Sequence, residues 1–148
     1  MQPLLPIGVL ALVAIASAIW LLTRQDTKRT GDAAYRVEQW LVRVLPPTGK
    51  GDIGEPTWFG LTIRRLAHIA EFAALGIAAS VVCVMALGPT MGAWLLSAGA
   101  SLLASLLDEL HKVFVPGRHF DPADLVLDAA GYLPATALTT LLCFLVAS

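Results

Sequence analysis

Apolar residues in this chain are gathered into blocks instead of alternating with polar ones. Leu4 to Leu22 runs for nineteen residues without a charge. At about 1.5 Å per helical residue, that is enough to cross a hydrocarbon core of about 30 Å. Leu66 to Leu87 is a second run, interrupted only by His68 and Glu71 near its start, and it ends at Gly88-Pro89. A third run opens at Met91 and closes at Asp108, and a fourth extends from Ala123 to Val146 with Pro134 inside it. Asp121-Pro122 suits the start of that last helix, as an N-cap followed by a proline at the first helical position. Pro134 has no N–H for the carbonyl of Ala130, so a kink is expected there. The pattern predicts transmembrane helices over about residues 4–22, 66–87, 91–108 and 123–146.

The polar stretch between the first two runs has a different periodicity. Val37, Trp40, Leu41, Val44 and Leu45 recur at helical spacing, with Arg36, Gln39 and Arg43 elsewhere on the wheel. This predicts a short amphipathic helix over about residues 33–45 lying on the membrane surface, Trp40 at headgroup level. Pro46-Pro47 ends it, and Gly49, Gly51, Gly54 and Pro56 mark a loop. No strand is expected. Ala16-Ser17-Ala18 resembles a leader-cleavage site, but no Lys or Arg precedes the apolar run, which continues through Leu22. A retained first helix is therefore expected. The fold class is all-α: one polytopic membrane domain over 1–148 with four transmembrane helices and one interfacial helix.

Composition agrees. Hydrophobic residues make up 57% of the chain, charged ones only 14%, and the mean hydropathy is +0.73, which excludes an ordinary soluble globule. There is no basic face with interleaved aromatics, so nucleic acid is not an expected partner. Cys83 and Cys143 lie inside apolar runs and read as small buried hydrophobes with free thiols, near the same membrane surface. Ala93, Ser97, Ser101 and Ser105 follow one another at four-residue spacing, a face for close helix packing.

Charge is sorted by region. All ten Lys and Arg residues fall either in the connection from Thr23 to Arg65 or in the one that holds Lys112 and Arg118. With four spans these two connections share a side. The positive-inside rule makes that side cytoplasmic, with both termini outside a multi-pass protein of the cell membrane.

Ionisable residues near the ends of membrane helices need a reason to be there. Arg64, Arg65, His68 and Glu71 open the second span; Asp108, Glu109, His111 and Lys112 close the third; Arg118, Asp121, Asp124 and Asp128 follow. All three histidines of the chain belong to these clusters or lie beside them. Helical spacing places Arg64, His68 and Glu71 on one face, as it does Asp108 with His111 and Lys112. The clusters are expected to form one site near the cytoplasmic face. Three readings of it stay open. Ion pairs pin the helices together. Alternatively, Arg64, Arg65 and Arg118, with Asp124 and Asp128, bind an anionic lipid headgroup or a lipid-linked envelope precursor. Or the site is an enzyme acting on a phosphorylated lipid, with His68, Glu71, Asp108, Glu109 and His111 as the catalytic candidates. Arg and Lys crowd the same place, so no metal is expected, and no cofactor either.

The stretch Arg64-Arg65-Leu66-Ala67-His68-Ile69-Ala70-Glu71-Phe72, then Asp108-Glu109 with Lys112 and Arg118, then Asp124 and Gly131, resembles the VanZ-like family of small membrane proteins. That family has an R-K-x-x-H-x-x-E-Y-like segment, then D-E-x-x-Q-x-x-x-x-x-R, then D-x-x-x-N-x-x-G. Two positions depart: Lys112 stands where the family usually has Gln, and Asp128 where it usually has Asn. A Lys112–Asp128 ion pair is expected in place of an amide–amide hydrogen bond. The resemblance implies a cell-envelope role, its namesake being linked to low-level resistance to the glycopeptide antibiotic teicoplanin. It does not imply a glycopeptide-degrading enzyme.

Overall fold

A computed structural model describes residues 5–23, 27–51 and 54–148, with side chains over 5–21, 35–51 and 54–148. Leu4, where the first span was expected to open, and the side chains of Arg24, Lys28 and Arg29 lie outside the described residues. Five helices follow in order: α1 (Leu5–Thr23), α2 (Thr27–Val44), α3 (Ile63–Leu87), α4 (Met91–Lys112) and α5 (Pro122–Ala147). The all-α expectation holds for the bulk of the chain. Helices α3, α4 and α5 are long and apolar enough to cross a membrane, whereas α1 is apolar but shorter over its described residues, Leu5–Leu21.

The absence of strands was not met. Gly49–Lys50 (β1) and Pro56–Thr57 (β2) pair antiparallel, Gly49 opposite Thr57 and Lys50 opposite Pro56. The glycines that read as loop signals supply the turn of a minimal hairpin: Gly54 sits at φ 83° and its N–H donates to the carbonyl of Gly51. Trp58 then plugs the connection. Its side chain is buried and its indole N–H donates to the carbonyl of Leu45 at 3.0 Å, tying the hairpin to the end of α2. Helix α2 begins six residues earlier than the expected 33–45. Val37, Trp40 and Val44 stay exposed on it, an apolar face that no other described residue covers.

Contacts between the long helices fix their directions. Gly8 of α1 lies beside Val82 and Met85 of α3, while Ile19 packs with Phe72 and Leu75, so α1 and α3 are antiparallel. Ser80 meets Ser97, and Val84 packs on Ala93, so α4 is also antiparallel to α3. His68 reaches Asp128, and the Ser80 hydroxyl donates to the carbonyl of Thr136 at 3.4 Å, so α3 and α5 are parallel. The starts of α3 and α5 and the ends of α1 and α4 therefore share one end of the bundle.

The α3–α5 seam is the tightest. A Cβ built on Gly131 would stand 2.3 Å from the carbonyl oxygen of Ile69 and 3.0 Å from the amide nitrogen of Ala73, and one on Gly76 would meet Tyr132 at 3.1 Å. Only glycine allows backbones to approach this closely. Ala93, Ser97, Ser101 and Ser105 are all buried on α4, as their spacing implied. Helix α5 runs through Pro134 as one element. Cys83 and Cys143 are free thiols in one apolar cluster with Val84 and Ala93.

Candidate functional site

Because α3 and α5 start where α4 ends, residues far apart in sequence meet at that end of the bundle. On α4, Ser105, Asp108, Glu109 and Lys112 follow at helical spacing and are all buried. On α5, Asp124 and Asp128 are one turn apart and buried, and α3 contributes the buried His68. The site is thus a set of charges held by three helices.

Lys112 is its hub. The ammonium donates to Glu109 Oε1 and to Asp124 Oδ2 at 2.8 Å, and stands 3.9 Å from Asp108 Oδ2. His68 is its counterpart across the seam: Nδ1 lies 3.1 Å from Asp128 Oδ1, and Nε2 lies 3.3 Å from Asp124 Oδ2. A neutral imidazole has one donor and one acceptor nitrogen. Facing a carboxylate on each side, His68 satisfies both contacts only as an imidazolium or with one of the aspartates protonated. The remaining Asp128 oxygen accepts from the Ser105 hydroxyl at 2.7 Å, and the remaining Glu109 oxygen accepts from the backbone N–H of Asp121 at 3.0 Å. A continuous path therefore runs Ser105–Asp128–His68–Asp124–Lys112–Glu109 and ends on the N-cap of α5.

The other expected site residues are placed as follows. Glu71 is half-buried, within electrostatic reach of His68, Asp108, Asp128 and Lys112. Arg64 and Arg65 are exposed on the first turn of α3, and the charge of Arg64 is felt at Asp124. Arg118 is half-buried in the α4–α5 connection. Asp121 caps α5, its carboxylate accepting from the N–H of Ala123 at 2.9 Å. His111 is set apart: its ring packs on Trp20 of α1 with centroids 5.0 Å apart, and its buried Nε2 has no hydrogen-bond partner among the described residues.

The expected Lys112–Asp128 pair is not what forms. Lys112 turns to Glu109 and Asp124, while Asp128 is taken by His68 and Ser105. Asp124, one turn nearer the start of α5 than Asp128, is within reach of the ammonium. Ser105 is the member that sequence reasoning passed over. It was assigned to packing, although its place three residues before Asp108 puts it on the charged face. Among the described residues no group of His, Cys, Asp and Glu is arranged to hold a metal ion.

The family model described as VanZ/LLP1 matches residues 8–145 of the chain. No curated protein and no solved structure matches it.

Proposed function

Since the chain belongs to the VanZ/LLP1 family, we propose that it is a multi-pass protein of the cell membrane that binds or modulates a cell-envelope component through this charged site. Helix α1 completes a four-span bundle, α2 lies on the cytoplasmic surface with Trp40 among the headgroups, and both termini are outside. The component is an anionic lipid or lipid-linked envelope precursor whose phosphate meets Arg64, Arg65 and Arg118. A teicoplanin-resistance-like phenotype would follow from altered handling of such a precursor, without degradation of the antibiotic.

The observation that carries this reading is the combination of depth and rim. Asp108, Glu109, Lys112 and Asp128 are buried at one end of the bundle, and exposed arginines open α3 at that same end. Charges inside a membrane domain are costly and mark function more often than architecture. A second reading also has an observation in its favour: Lys112 and both His68 nitrogens find partners within the protein, as a network that only pins helices would require. General-base chemistry at His68 has less support, because neither ring nitrogen is unengaged.

Glu71→Gln and Asp108→Asn separate the two. Both variants are expected to accumulate in the membrane and keep their helix content while losing the envelope phenotype, read as teicoplanin susceptibility and as the lipid profile against a knockout. If they fail to accumulate, the network is architectural and the binding reading falls.

A further inference from the structure

A cavity of about 310 Å³ lies between α1, α3 and α4 beside the charge network. Its size is at the lower end for ligand pockets. Phe72 and Leu75 of α3 form its buried back, while Trp20 of α1 and Leu107 of α4, both exposed, form its lips. The mouth therefore faces the bilayer through the α1–α4 seam. Asp108 is the one charged residue on the wall, and it is already engaged, by Lys112 at 3.9 Å and by a further contact within the protein. Ser17 adds one hydroxyl, of the kind a helix satisfies from its own preceding turn. Such a space takes hydrocarbon in preference to water, which finds too few polar partners there.

Two donors stand outward of the cavity on the faces that line it. Arg65 comes seven residues before Phe72 on α3, and His111 comes seven residues after Ala104 on α4. That spacing keeps each on the cavity face, about 10 Å nearer the end of the bundle. Ala104 packs on the cluster of Phe72 and Leu75 and the two helices are antiparallel, so both donors come to one level. Arg65 is exposed and takes no part in the charge network, unlike Arg64, whose charge is felt at Asp124. The His111 ring stacks on Trp20 at the lip, and its buried Nε2 has no hydrogen-bond partner among the described residues. A buried polar atom without a partner is costly, and an acceptor brought by a ligand would remove that cost.

We infer that the cavity holds one acyl chain of an anionic glycerophospholipid, with its phosphate held at the rim by Arg65 and by the Nε2–H of His111. This deepens the reading above by naming the lipid class and placing its chain, and it rests on that reading. An ionised phosphate offers acceptors to both donors, and its bonds to a guanidinium are charge-assisted. The acyl chain follows from supply. The mouth opens to the bilayer, whose bulk is acyl chains, and occupancy rises with concentration relative to affinity. A wall with no spare charged group gives a scarcer lipid no contact to outweigh that excess. The second acyl chain stays in the bilayer outside the seam.

The test uses the full-length protein in dodecylmaltoside and a phosphatidylglycerol carrying a diazirine in one acyl chain. Cross-links are expected at Ala16 and Ala104, which line the cavity, and not at Leu133, which is exposed on α5 at the depth of Tyr132. Unlabelled phosphatidylglycerol should compete at least about tenfold better than diacylglycerol with the same chains, the loss expected when hydrogen bonds to a charged group are removed. Arg65→Gln combined with His111→Phe, which keeps a ring on Trp20, should erase that preference. Ala104→Phe and Ala16→Phe fill the cavity from opposite walls and should abolish labelling there, whereas Leu133→Phe should leave it unchanged. Ala16 is exposed, so its variant carries the test even if Ala104→Phe fails to fold. Cross-links spread over α5, equal competition by diacylglycerol, or stronger competition by a polyprenyl phosphate overturn the assignment. If cavity labelling is found while Glu71→Gln and Asp108→Asn leave the cellular phenotype intact, the functional reading fails and the lipid assignment stands. Loss of the phenotype in those variants without cavity labelling in the parent overturns the lipid assignment alone.

Discussion

Gly131→Ala is the sharpest perturbation the fold offers. The added methyl would lie 2.3 Å from the carbonyl oxygen of Ile69 and 3.0 Å from the amide nitrogen of Ala73. Ordinary contact begins near 3.4 Å, so the α3 and α5 backbones must separate by about 1 Å. Both obstructing atoms are helical backbone, with no flexible side chain to swing aside. Overpacking of a well-filled interior costs about 1–3 kcal/mol, and a rigid backbone obstruction belongs at the upper end of that range. The displacement also reaches the charged site. His68 Nδ1 and Asp128 Oδ1 are 3.1 Å apart across this seam, and a shift of that size carries them beyond hydrogen-bonding distance. Thermal unfolding of purified protein in detergent, followed by fluorescence-detected size exclusion, is the assay. Gly131→Ala should melt well below the parent, whereas Gly99→Ala, whose Cβ meets nothing within 4 Å, should match or slightly exceed it. If Gly131→Ala melts with the parent, the α3–α5 spacing described here is wrong.

Three other substitutions probe separate parts of the molecule. Lys112→Met leaves Glu109, Asp124 and Asp108 clustered without their ammonium, and loss of one partner in a buried ionic network costs about 3–5 kcal/mol; membrane accumulation on immunoblots should collapse. Trp58→Phe removes the hydrogen bond to Leu45, worth about 1 kcal/mol, and should speed proteolysis between α2 and α3 without unfolding the bundle. Single cysteines at Lys50 and Arg118, in a background lacking Cys83 and Cys143, should stay unlabelled by an impermeant thiol reagent in intact cells; labelling of either reverses the proposed orientation.

The long elements were legible because block hydrophobicity, turn residues and caps agree. Asp121-Pro122 opens α5 as its chemistry implies, and Thr90 caps α4 by accepting from the N–H of Ala93. The hairpin was harder to see, since two strands of two residues leave no alternating pattern and depend on Trp58 reaching back to α2. Within the site, sequence spacing identified which residues share a face but not how carboxylates divide between two cations. That division depends on the relative height of α4 and α5, which the buried Ser105–Asp128 hydrogen bond holds, while the close approach of Gly131 fixes α5 against α3. The placement of His111 turned on the same limit. Its spacing from Asp108 allowed a shared role, but the position of α1 draws its ring to Trp20.

The two departures from the family pattern acquire a joint meaning from this geometry. Lys112 and Asp128 add one charge of each sign, so the net charge of the site is what Gln and Asn would give. Had the two paired directly, each would answer only to the other. They are instead the ends of a relay, Lys112 to Asp124 to His68 to Asp128, in which Asp124 faces both cations at 2.8 and 3.3 Å. A change at either end alters the electrostatic balance at Asp124, and through it the balance at the other end. The ion pairs thus cross-link all three long helices, which an amide pair between α4 and α5 would not do. Asp108 stands beside this relay, buried with Oδ2 3.9 Å from the Lys112 ammonium, at the boundary between the charged cluster and an apolar cavity between α1, α3 and α4. That carboxylate on a cavity wall is where the binding and architectural readings part.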